Sequence, residues 1–228
     1  MASTSAFFVG KRKNNSVLAS FFLKRGLWLV FLEVTVITFV WTFDIYFSTI
    51  FLAVLWSLGM SMLALSGIIF LPKKVILLLS LLLIFGHNLL DTIHFDGSFL
   101  WAALHEFTTF QLGESRQLTV IYPILPWIGV MALGYYFGQF YDRDWSSQKR
   151  KKLFNWIGIL AFLAFAIIRY TNVYGEVEPW EVYETNIQTV MSFFNLTKYP
   201  PSLLFLLVTL SVSFIFLANS ENWKGKLV

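Results

Sequence analysis

The chain contains no cysteine, which excludes a disulfide framework, a thiolate metal site and a cysteine nucleophile. Charge is scarce: 13% of the 228 residues are charged, about half the quarter that a soluble domain carries. Only three histidines occur, and neither an internal repeat nor a low-complexity linker separates one region from another. What fills the chain instead is apolar. Hydrophobic residues make up 57% of it, with 25 Phe and 9 Trp, and several runs approach the roughly 18–20 residues that carry a helix across a bilayer. The fold class predicted is therefore all-α, a polytopic transmembrane helix bundle in one integral membrane domain. The net charge of +4 comes from basic residues placed between apolar runs. That placement is a topology signal and argues against a nucleic-acid partner.

Six spans are expected, at about 26–43, 48–71, 75–90, 122–141, 153–170 and 201–218. Pro123 and Pro126 are tolerated in the first turns of the fourth, where Gly134 and Gly138 also make a GxxxG match. Basic clusters fall before span one, between two and three, between four and five, and after six. The alternate connections hold acids and the histidines. By the positive-inside rule both termini are cytoplasmic. Residues 1–9 are apolar but too short to span, and they run directly into Lys11-Arg12-Lys13. They are expected to be the end of a preceding helix, because a signal peptide puts its basic residues first.

This topology gathers the unusual polar groups on the extracytoplasmic side. Residues 86–91 read GHNLLD and close an almost unbroken apolar run. On a continuing helix His87 and Asp91 share one face. Ionisable groups so deep in apolar sequence are costly. Two readings stay open: a hydrogen-bonded helix end, or a carboxylate that orients an imidazole as general base. A metal set of His87, Asp91 and His94 would need the helix to continue, which Gly97 and the loop composition oppose, so no metal is expected. Asn88, Arg169, Asn172, Lys198, Asp44 and His105 are the candidate substrate-binding residues on the same side. Arg169 could equally snorkel to the interface, and Lys198 could be an interfacial anchor. Glu33 should face other helices and find a hydrogen bond there.

Five stretches together resemble the heparan-alpha-glucosaminide N-acetyltransferase catalytic-domain family, also called DUF1624: residues 24–35 (KRGLWLVFLEVT), 86–91, 122–135 (YPILPWIGVMALGY), 169–175 (RYTNVYG) and 197–205 (TKYPPSLLF). The resemblance implies a bacterial membrane acyltransferase, with acetyl-CoA as donor substrate and a sugar or glycan as acceptor, in the cytoplasmic (inner) membrane. It also implies that residues 3–8 (STSAFF) correspond to the end of a helix that members carry after a first span. The histidine assigned the chemistry in the characterised eukaryotic relative belongs to that early region, upstream of this chain, so the catalytic label is not transferred to His87. His87 and Asp91 are instead expected to assist as acid and base.

Two other functions remain in competition. A small-molecule transporter or flippase would use Glu33 and the His/Asp pair to line a path, although inverted repeats and broken helices are not evident. A non-catalytic membrane scaffold is the third. Partners expected are the lipid bilayer and the acceptor, with homo-oligomerisation left open.

Overall fold

A computed structural model describes residues 14–142 and 144–220. The expected helix remnant at 1–9 and the basic carboxyl-terminal tail lie outside the described residues. The chain divides into two compact units, Met1–Gln139 and Phe140–Val228.

In the first unit, α1 (Asn15–Leu32) starts at Asn14, whose side chain accepts from the Ser16 N–H. It passes through a π-helical turn, Glu33–Ile37, into α2 (Thr38–Thr42). Phe43, at φ 50°, ends it in the left-handed region. After β1 (Thr49–Leu52) comes α3 (Val54–Ile68), then α4 (Lys73–Gly86), which tightens into a 3-10 turn at His87–Leu90. Next come the short helix α5 (Phe99–Leu104), β2 (Thr108–Gln111), β3 (Gln117–Val120) and α6 (Leu125–Phe137). The strands form one small sheet in the order β1-β3-β2, with β1 parallel and β2 antiparallel to β3.

Two contacts set this unit's packing. Gly26 of α1 and Gly59 of α3 face each other so closely that a Cβ on either would meet the other's carbonyl oxygen at 2.7 Å. Glu33, 1% exposed, reaches the start of α3. One of its carboxylate oxygens accepts from the Leu55 N–H and, at 3.0 Å, from the Trp56 N–H. The residue preceding α3, Ala53, offers no side-chain acceptor, so a carboxylate from another helix does the capping. The core beside it joins Leu52, Trp56, Ala102, Ala103, Val120 and Ile124, tying α5 and the sheet to α3.

The second unit holds α7 (Ser147–Thr171), α8 (Asn186–Phe194) and α9 (Leu203–Ser220). Ser146 caps α7 through its hydroxyl. Gly158 lets α7 lie against Ser211 and Ile215 of α9.

The expectation of about six spans in an all-α bundle is corrected here. Among the described residues three helical segments are long and apolar enough to cross a membrane: Lys73–Leu90, Ser147–Thr171 and Leu203–Ser220. They coincide with the spans expected at 75–90, 153–170 and 201–218. The other three fall short for distinct reasons. The run at 26–43 is broken by the π turn with buried Glu33, and the helix before it carries Lys24 and Arg25. The run at 48–71 spends its first residues on β1, leaving a 15-residue helix. At 122–141 the helix has 13 residues, roughly 20 Å against a hydrocarbon core of about 30 Å. An apolar run counts residues that can be buried, whether in lipid or in a protein core: the runs at 48–71 and 122–141 supply buried residues to the cores of the first unit, whereas Trp28, Phe31, Val40 and Trp41 of the run at 26–43 stay exposed. The inference that both termini are cytoplasmic rested on basic clusters alternating across six crossings and loses that basis.

Candidate functional site

The polar cluster of the first unit forms where α4 ends. Gly86 closes the α-helix and the next four residues wind more tightly, so His87 and Asp91 do not keep α-helical i, i+4 spacing. The His87 ring turns back along the helix instead. Its Nδ1 lies 2.9 Å from the Ile84 carbonyl oxygen and 3.2 Å from that of Leu83. A carbonyl only accepts, so Nδ1 carries the proton and Nε2 of the neutral ring holds the lone pair.

Asp91 finds other partners. Its Oδ2 accepts from Asn88 Nδ2 at 2.8 Å, and its Oδ1 from His105 Nε2 at 2.9 Å. Burial pushes the Asp91 carboxyl up, but the hydrogen bonds from His105 and Asn88 more than offset this, holding it below the ordinary carboxylate range. Because Nε2 donates to the carboxylate, Nδ1 is the basic nitrogen of neutral His105. That Nδ1 is buried and has no hydrogen-bond partner among the described residues. The ring is 3% exposed, whereas the Asp91 side chain is 27% exposed. The carboxylate edge of the pair thus opens to the surface while the imidazole is covered.

Helix α5 delivers His105. Its Ser98 cap accepts from the Trp101 N–H, its buried Ala102 and Ala103 seat it on the core, and Ile124 N–H donates to the Ala103 carbonyl at 2.9 Å. The Trp101 ring sits 5.6 Å from the His105 ring, and the His87 ring 6.4 Å away on another side. Trp101 Nε1 donates to the Ile93 carbonyl at 3.0 Å, fastening the connection that follows Asp91.

Sequence reasoning named His87, Asn88, Asp91 and His105, and the structure brings all four together. It did not name the bond between Asp91 and His105. Fourteen residues and a turn of chain separate them, and no spacing rule reaches that far. His94 pairs with Glu106 across the same connection. Among the described residues no three His, Asp or Glu side chains converge on a metal-sized site.

Asp44 lies in the connection ahead of β1. Its two oxygens accept from the Tyr46 N–H at 2.8 Å and the Ser48 N–H at 2.7 Å. Bonds from the Ser48 side chain and backbone, then from Tyr46, hold its carboxyl below the ordinary range. It orders the turn that launches β1.

In the second unit, Arg169 is 1% exposed and donates to four backbone carbonyls. Nε reaches Phe193 at 3.0 Å, Nη1 reaches Glu178 at 2.8 Å, and Nη2 reaches Ser192 at 3.0 Å and Asn195 at 2.9 Å. Asn172 ends α7 with φ 51°. Its amide clasps the Trp180 backbone, donating to the carbonyl and accepting from the N–H, each at 3.1 Å. Lys198 Nζ stands 5.0 Å from the Tyr199 ring centre. Glu176 was not singled out by the sequence. Its carboxylate accepts from the Thr197 N–H and, at 2.8 Å, from the Ser202 hydroxyl. Beside it lies a cavity of about 110 Å³ lined by Asn172, Tyr174, Glu176, Val177, Pro179 and Leu204.

A family model described as "Heparan-alpha-glucosaminide N-acetyltransferase, catalytic" matches residues 3–174, more than half of the chain. Neither a curated protein nor a solved structure matches it.

Proposed function

Given that this chain belongs to the heparan-alpha-glucosaminide N-acetyltransferase catalytic-domain family, we propose that it transfers an acetyl group from acetyl-CoA to a sugar or glycan acceptor, with His105 as the general base. Family membership supports transferase chemistry of this general class. The single observation that carries the residue assignment is the Asp91–His105 hydrogen bond together with the buried, unpartnered Nδ1 of the same ring.

The chemistry follows from the tautomer. In the proposed reaction the amino or hydroxyl group of the acceptor gives its proton to His105 Nδ1 as its lone pair attacks the acetyl carbonyl carbon. The carbonyl electrons move onto oxygen. When they return, the carbon–sulfur bond breaks and the sulfur leaves as thiolate, which recovers the proton from the imidazolium. Asp91 is a positioning residue: it holds Nε2–H, fixes which nitrogen is basic, and stabilises the imidazolium that forms. Asn88 and His87 shape the cluster around that pair. The ring is covered, so the proposed reaction requires the surroundings of Nδ1 to open to the acceptor.

The test is acetyl transfer from labelled acetyl-CoA to amino-sugar and glycan acceptors, in membranes holding wild type, His105→Gln or Asp91→Asn at matched levels. His105→Gln is expected to lose about 10²–10⁴-fold in rate, the usual worth of a general base. Asp91→Asn should lower kcat with little change in KM. Wild-type turnover in His105→Gln would remove this residue from the chemistry. A change in KM alone for Asp91→Asn would make it a binding residue.

A further inference from the structure

The segment between α7 and α9 carries four glutamates, yet its helix, α8, has an apolar face. Ile187, Val190, Met191 and Phe194 stand at i, i+3, i+4 and i+7, on one side of the helix. They are 74%, 57%, 67% and 51% exposed. A soluble surface seldom leaves four such side chains in a row uncovered.

The position of α8 shows what covers them. The rings of Phe193 and Phe194 lie 5.8 and 5.9 Å from that of Phe165. Phe165 belongs to α7, a helix long and apolar enough to cross a membrane, and it sits six residues before the helix ends at Thr171. Six residues are roughly 9 Å of helix axis. The carboxyl end of α8 is thus beside the span, well inside its end, where Phe162, Leu163 and Ile167 of the span are exposed as well.

A helix end at that depth has a physical difficulty, because its last carbonyls have no helical partner and no water to bond. Arg169 removes it. The guanidinium donates to the carbonyls of Ser192, Phe193 and Asn195, the last residues of α8 and the first beyond it. In the amino-terminal half, Thr185 caps α8 by accepting from the Gln188 N–H at 3.2 Å. Both ends are satisfied by protein groups.

From these contacts we infer that α8 is an interfacial helix whose Ile187, Val190, Met191 and Phe194 face lies in the headgroup–acyl boundary of the bilayer, with Arg169 as its carboxyl-terminal cap. No residue of α8 is charged, and the segment leading to it carries Glu176, Glu178, Glu181 and Glu184. Insertion is therefore driven by apolar burial and does not depend on anionic lipid.

The chain has no cysteine, so single cysteines report without background. Ile187→Cys, Val190→Cys, Met191→Cys and Phe194→Cys, with Asn186→Cys and Gln188→Cys as polar-face references, are spin-labelled in the full protein. Each is reconstituted in phosphatidylcholine vesicles and again with added phosphatidylglycerol. Collision rates are measured with oxygen, which concentrates in lipid, and with a water-soluble nickel chelate. The expected result is an oxygen-to-nickel ratio several-fold higher at the four apolar positions than at the references, equal in both lipids. Nickel access at the apolar positions matching the references would overturn the proposal. Protection from both reagents would also overturn it, because a second copy of the chain or another protein would then cover the face. A ratio that rises only with phosphatidylglycerol would refute insertion by apolar burial.

Discussion

Asp91 and Glu33 show how one kind of side chain serves two purposes under different surroundings. Asp91 is partly open and bonded by two side-chain donors, one of them an imidazole. Its carboxyl is held below the ordinary range, so its contribution to stability is fully present above about pH 4 and is lost as pH falls through the lower, folded value. Acid titration followed by tryptophan fluorescence should therefore show destabilisation below about pH 4 that is smaller in Asp91→Asn than in wild type. Glu33 is fully covered and its bonds go to the backbone at the start of α3. Glu33→Ala removes the shared acceptor of two backbone N–H groups and leaves them buried and unsatisfied, a loss of about 1–3 kcal/mol. Thermal unfolding in detergent should show it, with Glu33→Gln falling between because its amide oxygen still accepts. Equal melting of all three proteins would remove the capping role.

Among the elements, the α1–α3 pair is sensitive to a single change. Gly26 and Gly59 bring the two backbones into contact, and the nearest atom to a new Cβ is a carbonyl oxygen, which cannot swing aside. Gly59→Ala should cost about 1–3 kcal/mol through forced separation of the helices, read as a lower melting temperature. By contrast Gly67→Ala, where a Cβ meets nothing within 4 Å, should be neutral or slightly stabilising through helix propensity. A drop of the same size in both variants would show that the close approach is not the cause. In the second unit, Arg169 binds the end of α8 to α7 through carbonyls alone, so loss of its guanidinium would release a helix, not an ion pair.

For the molecule as a whole, the three long apolar helices place it in the membrane, and their exposed side chains set its behaviour on extraction. Leu78 is 66% exposed, Ile167 64% and Val212 62%, one on each of the three spans, and lipid or detergent must cover them. Carbonate or high salt should leave the protein in the membrane pellet, and detergent should release it. Release by salt alone would contradict the spans. Membrane class, the three spans at 75–90, 153–170 and 201–218 and the family were legible in the sequence because each is local. Composition, run length and short motifs carry them. The other three expected spans were misread because a run of apolar residues does not say where a π turn, a strand or a helix end will interrupt it. Four members of the His87 cluster could be named from the sequence, because ionisable groups stand out in apolar surroundings. Their pairing could not be. Asp91 meets His105 only because α4 tightens after Gly86 and α5 is seated on the core by Ala102 and Ala103. Glu33 meets α3, and Arg169 meets α8, only once separate helices have packed. The sequence by itself determined which residues seek burial and which resist it; tertiary structure decided the partner of each, because a hydrogen bond is short and directional and its two ends lie far apart along the chain.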